Sequence, residues 1–130
     1  MRSQNAKDRL SRAEALQLWH RVNLGSVLAD QPDLTTRQLA LLTCVYLEPA
    51  PHTVRSLAAR LNVTKAVITR AVNTLGQYGF IMRAADPNDG RSVLVRRTGR
   101  GSRYLSDFAE RVRFEAKTLQ PLARSASRVA

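Results

Sequence analysis

The sequence predicts a mainly α-helical fold in which a helix-turn-helix runs straight into a β-hairpin, with a further helix on either side. Three observations carry this. Apolar residues recur at helical spacing in segments punctuated by Asn, Gly and Pro. Two runs of strand-forming residues, Phe80-Ile81-Met82-Arg83 and Ser92-Val93-Leu94-Val95-Arg96, flank the turn chemistry of Asp86-Pro87-Asn88-Asp89-Gly90-Arg91. Before them, two helical segments meet across a turn of about three residues, the helix-turn-helix spacing.

In chain order, Ser11-Arg12-Ala13-Glu14 fits a capping box, and Ala15, Leu18, Trp19, Val22 and Val27 continue a helix until Asp30-Gln31-Pro32-Asp33 breaks it. Thr35 with Gln38 opens a second helix carrying Leu39, Leu42, Val45 and Tyr46, which Pro49 and Pro51 end. Thr53 caps a short third helix with Leu57, Ala58 and Leu61 facing inward, and small Ala58 and Ala59 let another helix cross closely. Asn62 falls at the turn, where its tolerance of the left-handed conformation is useful. Thr64 caps the fourth helix, on which Val67, Ile68, Ala71, Val72 and Leu75 fall in one arc at 100° per residue. Gly79 ends it and the hairpin follows. Thr98 then caps a last helix with Tyr104, Leu105, Phe108, Val112, Ala116 and Leu119, and Pro121 near its end. The first eight residues and the tail from about Arg124 are expected to fray. The division is thus 1–34, an arm and helix; 35–101, the helix-turn-helix and hairpin; and 102–130, a helix with a short tail.

The polar arc of the fourth helix carries Lys65, Ala66, Thr69, Arg70, Asn73 and Thr74. A merely solvated helix face usually includes Glu for propensity and ion pairing. This one has no carboxylate. Arg and Lys donate to guanine O6 and N7, Asn pairs with adenine, and Thr offers a methyl and a hydroxyl, so Lys65, Ala66, Thr69, Arg70 and Asn73 are the candidates for a DNA major groove. Surface hairpins are common, but an arginine beside a glycine at the tip favours a wing whose Arg91 enters a minor groove, with Asp86 or Asp89 orienting it by ion pairing. Thr53, Arg55 and Thr64, near helix N-termini, are candidates for phosphate contacts.

Charge points the same way. The 130-residue chain suits one domain, and its 21 Lys and Arg against 10 Asp and Glu give a net charge of +11. From Thr35 to Tyr104 there are eleven cations and three carboxylates, so most of the excess sits on the predicted reading unit, as a polyanionic partner requires. No apolar span of membrane length and no secretory signal is seen, so the expected location is the cytoplasm, on the nucleoid. One cysteine, Cys44, and two histidines, His20 and His52, supply neither a Cys/His zinc cage nor a disulfide framework, and no phosphate-binding glycine loop appears; no enzyme activity, metal or cofactor is expected. Cys44 lies among Leu41, Leu42, Val45 and Tyr46, surroundings that keep a thiol protonated and unreactive.

The segment LAARLNVTKAVITRAVNTLGQYGFI and the motif DPNDGRSVLVRRTGRG resemble, respectively, the paired helices and the wing with the following Thr-Gly helix start of the MarR family of bacterial transcriptional regulators. The resemblance runs from about residue 35 to 101 and implies a winged helix-turn-helix. It also implies a homodimer built by the terminal helices, with Leu18, Trp19, Val22, Leu105, Phe108 and Val112 as interface candidates, binding palindromic double-stranded DNA and repressing transcription by occlusion. Two positions depart from the family: Gly90 stands where a basic wing residue is usual, and Arg97 where an apolar residue precedes the Thr. A small-molecule effector is a family property for which no convergent polar set is visible here. Two other classes are compatible with the charge, an RNA-binding or nucleoid-architectural protein that does not read sequence and a winged helix that binds protein. Base-edge residues confined to one helix face weigh against the former, and the concentration of charge against the latter.

Overall fold

Each helix begins where a side-chain oxygen takes an unpaired N–H of the first turn. The computed structural model describes residues 9–119, with α1 (Arg12–Leu28), α2 (Thr36–Leu47), α3 (Val54–Leu61), α4 (Lys65–Gln77), β1 (Ile81–Asp86), β2 (Asp89–Arg97) and α5 (Gly99–Lys117) in order. Reciprocal capping boxes join Ser11 to Glu14, Thr35 to Gln38 and Thr53 to Ser56, and the Thr64 hydroxyl accepts from the Val67 N–H. Asn62 closes α3 in the left-handed region at φ 56°, and Gly79 follows α4 at φ 79°. The expected mainly helical fold with a hairpin wing is therefore present.

Pro32–Ser106 folds around one core. Leu41, Leu42 and Val45 of α2, Leu57 of α3, and Ile68, Val72 and Leu75 of α4 are all but inaccessible to solvent. Phe80, Ile81 and Val95 seal this core at the base of the hairpin, and Leu105 packs against it from α5. Burying each such side chain contributes roughly 1.5–3 kcal/mol, which fixes the pitch of α4 against α2 and α3. The hairpin is antiparallel, with Ile81 opposite Arg97 and Ala85 opposite Val93. An isolated bridge, unforeseen in the sequence, adds to it: Thr53 pairs with Leu94, and the Val95 N–H donates to His52 O at 2.8 Å. The segment entering α3 is thereby tied to the wing.

The turn is tighter than the six residues expected. Asp86 pairs with Asp89, leaving Pro87-Asn88 between them, because Asp86 Oδ1 accepts from Asn88 N at 2.9 Å and Asp89 Oδ1 from Arg91 N at 3.0 Å. The strands accordingly run further towards the tip than Phe80–Arg83 and Ser92–Arg96, and Phe80 is a buried residue ahead of β1. Between the pairs Ala85–Val93 and Asp86–Asp89 the register shifts, so Gly90, Arg91 and Ser92 bulge from β2.

Two further anchors fix the hairpin's base. The Tyr46 hydroxyl accepts from Thr98 N at 2.9 Å and faces the carbonyl oxygens of Phe80 at 2.7 Å and Thr98 at 3.0 Å. Thr98 caps α5 through Gly101 N at 3.0 Å while its hydroxyl donates to Gly79 O at 2.6 Å. Arg97, unusual for its position, turns back onto α2: Nε donates to Val45 O at 2.8 Å and the guanidinium lies 5.7 Å from the Tyr46 ring centroid. It thus satisfies a carbonyl at a helix C-terminus, where the dipole favours a cation.

The remaining described residues, up to Gln31 and from Asp107, form a separate unit. Arg111 Nη1 donates to Ser26 Oγ at 3.0 Å, its stem lying against Gly25, and Arg21 Nη1 donates to Thr118 O at 3.2 Å. Ala13 and Val22 are buried here, while Leu18, Phe108 and Val112 are half-buried. Trp19, Val27, Leu28 and Phe114 are each 60% exposed or more. α5 ends at Lys117, short of Pro121; that proline and both expected frayed ends lie outside the described residues.

Candidate nucleic-acid interface

Helix α4 stands as a ridge because its apolar arc is spent on the core. Ile68, Ala71, Val72 and Leu75 are buried, whereas Lys65, Ala66, Arg70 and Asn73 are exposed and Thr69 is half-buried. Clefts flank this ridge. On the wing side a cleft of about 600 Å³ brings Thr53 and Arg55 of the α3 start together with Lys65, Thr69, Arg83, Asp89 and Arg91. The Thr53–Leu94 bridge makes this possible by seating the α3 N-terminus beside β2. Six residues singled out in the sequence therefore share one surface. Thr64, the α4 cap, is exposed but does not line the cleft, and Asp86 and Asn73 lie outside it.

On the other side, Arg70 and Thr74 of α4 face Thr35, Arg37 and Gln38 of the α2 start across a cleft of about 260 Å³. Arg70 is thus separated from Lys65 and Thr69, which line the wing side. Arg37 and Arg83 were missed in the sequence. A signal for Arg83 existed: with a strand period of two it shares a face with Ile81, which is buried in the core beneath α4.

The electrostatics favour an anion along this surface. The ion pairs among the described residues involve Arg21, Arg60 and Arg113, and none involves Arg37, Arg55, Lys65, Arg70, Arg83 or Arg91. Asp89 is the only carboxylate lining the wing-side cleft. Its oxygen, like that of Asp86, takes a backbone N–H; neither forms the expected ion pair with the Arg91 guanidinium. The bulge itself projects Arg91, which is exposed.

The remaining reactive groups have other partners. His52 is buried with Nε2 3.0 Å from Glu48 O. Glu48 forms a bidentate pair with Arg60 at 2.8 and 3.0 Å, a hydrogen-bonded arrangement that holds its carboxyl below the usual range. Burial, followed by the nearby Glu48 charge, pushes the half-buried Cys44 thiol up, which disfavours the nucleophilic thiolate. Among the described residues no group of three His, Cys, Asp or Glu is placed to hold a metal ion, and no helix is long and apolar enough to cross a membrane.

The model of the MarR family matches residues 34–93, the stretch from the start of α2 to the middle of β2. The chain is 37% identical over 96 residues to the uncharacterized HTH-type transcriptional regulator YdcH of Bacillus subtilis strain 168, covering 72% of this chain and 64% of that relative. It therefore spans somewhat less than two thirds of the curated relative's length. Among solved structures it is similar to the transcriptional regulator Tm0710 of Thermotoga maritima, with a TM-score of 0.65, 26% identity and coverage of 79% and 72% of the two chains. It is also similar to the PcaV transcriptional regulator of Streptomyces coelicolor, solved in complex with its natural ligand, with a TM-score of 0.59, 28% identity and coverage of 90% and 82%.

Proposed function

We propose that the protein is a transcriptional regulator of the MarR family, whose model matches residues 34–93, and that it binds double-stranded DNA in a sequence-specific way. The observation that carries the reading is the shared surface of Thr53, Arg55, Lys65, Thr69, Arg83 and Arg91 beside an acid-free recognition helix. On this reading α4 enters the major groove with Lys65, Ala66, Thr69, Arg70 and Asn73 towards base edges, and the bulged Arg91 reaches the adjacent minor groove. Thr53, Arg55 and Thr64 hold phosphates beside the helix. Asp89 and Asp86 act on the wing by ordering its turn. The protein works in the cytoplasm as a homodimer, and it represses by occluding a promoter whose half-sites the two wings span.

Val22 is buried within its own chain, and the half-buried Leu105 spends its contact on the core. The dimer surface therefore falls to exposed Trp19 and the half-buried Leu18, Phe108 and Val112, with Val27, Leu28 and Phe114 added to the residues expected from sequence. A random duplex pool carried through rounds of binding tests the function. One sequence family should emerge and bind about a thousandfold or more tighter than its scrambled duplex or a structured RNA of equal length. Equal binding of all three would replace this reading with a non-specific polyanion binder.

A further inference from the structure

Asn73 does not stand alone on the recognition helix: Arg83 of β1 reaches across and donates from Nη2 to its side-chain oxygen Oδ1. We infer that Arg83 is a specificity-determining residue that converts Asn73 from an adenine reader into half of a guanine reader. The inference rests on the DNA-binding function proposed above and names a base within it.

An asparagine reads adenine by accepting from N6–H with Oδ1 while donating to N7 from Nδ2. Here the acceptor lies under a guanidinium. Adenine's amino group would compete with a charged donor for the same oxygen, and a charge-assisted hydrogen bond is the stronger of the two. What remains free is a set of donors, Asn73 Nδ2–H and the other N–H groups of Arg83. Guanine presents two acceptors, O6 and N7, on its major-groove edge and matches such a set.

The placement of Arg83 follows from the fold. It stands two residues beyond Ile81 on the same face of β1, so the buried Ile81 anchors the strand against α4 and Arg83 continues along the helix flank. Asn73 and Arg83 are both exposed and line one open cleft of about 510 Å³ with Gly76, Gln77 and Met82. At Gly76 no side chain fills that cleft. No carboxylate lies on α4 to draw the guanidinium away.

The test is selection from a random duplex pool with the full chain, its Arg83→Ala and Asn73→Ala variants, and the double variant. Both side chains are exposed, and melting curves matching the parent protein verify that each variant folds. The parent should enrich a G·C pair at one position where Asn73→Ala shows no preference. Arg83→Ala should move preference at that position towards A·T, changing the guanine-to-adenine ratio by about 5- to 100-fold with other positions unaltered. The double variant should behave there as Asn73→Ala does. Enrichment of adenine at that position by the parent would overturn the inference. So would an Arg83→Ala variant that binds every duplex more weakly by one factor with base preferences intact, which marks a phosphate contact only. A parent protein that enriches no sequence at all would overturn the DNA-reading function together with this inference.

Discussion

Gly101 carries no side chain because none fits: a Cβ there would collide with the Tyr46 hydroxyl and the Phe80 carbonyl oxygen. Both groups are held by the hydrogen bonds that join α2, the hairpin's base and the start of α5, so neither can move aside freely. Gly101→Ala should lose about 2–3 kcal/mol, the upper part of the usual range for overpacking, read as a lowered midpoint in urea. Gly76 provides the contrast. It lies inside α4, and the nearest atom to an added Cβ is Ile81 O at 4.0 Å. Gly76→Ala should raise stability by about 0.5–1 kcal/mol through helix propensity alone. Equal effects of the two substitutions would show that the Tyr46–Phe80–Thr98 contact is not rigid.

At the scale of elements, local chemistry was legible in the sequence and long-range partnerships were not. The caps at Ser11, Thr35, Thr53 and Thr64, the left-handed Asn62 and the buried arc of α4 all follow from residues within a turn or two of one another. The destinations of the arginines depend on elements far apart in sequence. Arg97 caps a helix fifty-two residues earlier, and Arg83 meets Asn73 only because β1 lies along α4. The tip differs for a related reason: the expectation is an ion pair from Asp86 or Asp89 to Arg91, whereas each carboxylate binds a backbone N–H two residues on.

The bulge at Gly90–Ser92 makes the wing open to redesign. Nothing lies within 4 Å of a Cβ built at Gly90, and Gly90 is not among the residues with positive φ. Gly90→Lys restores the cation usual in the family at no steric cost. It should leave the melting temperature within about 2 °C, because surface substitutions away from special features change stability by under about 0.5 kcal/mol. Its binding should become more salt-sensitive by about 0.9 in the log–log slope for one added phosphate contact. An unchanged slope would mean that the bulge points away from DNA.

Over the whole molecule, the two compact units differ in the character of their surfaces. Residues 32–106 hold the cationic clefts, and the terminal helices carry an apolar surface with Trp19 60% exposed and Leu28 76% exposed. Such a surface on a single chain is costly in water and is relieved by association. Light scattering at micromolar concentration should give twice the chain mass of 14.5 kDa, and Trp19→Glu combined with Phe114→Glu should shift the population towards monomer. A monomer in the parent protein, free and on DNA, would reassign this surface to another partner.

The salt dependence of duplex binding most directly tests the proposal that this surface grips the phosphate backbone on both sides of α4. Fluorescence anisotropy of a labelled selected duplex, titrated from low to physiological salt, should give a straight log–log line. If Arg37 and Arg55, the cleft cations not assigned to a groove, each neutralise a phosphate, its slope is about −1.8 per protomer, and about twice that for a dimer. A line that is nearly flat would contradict DNA binding by this surface.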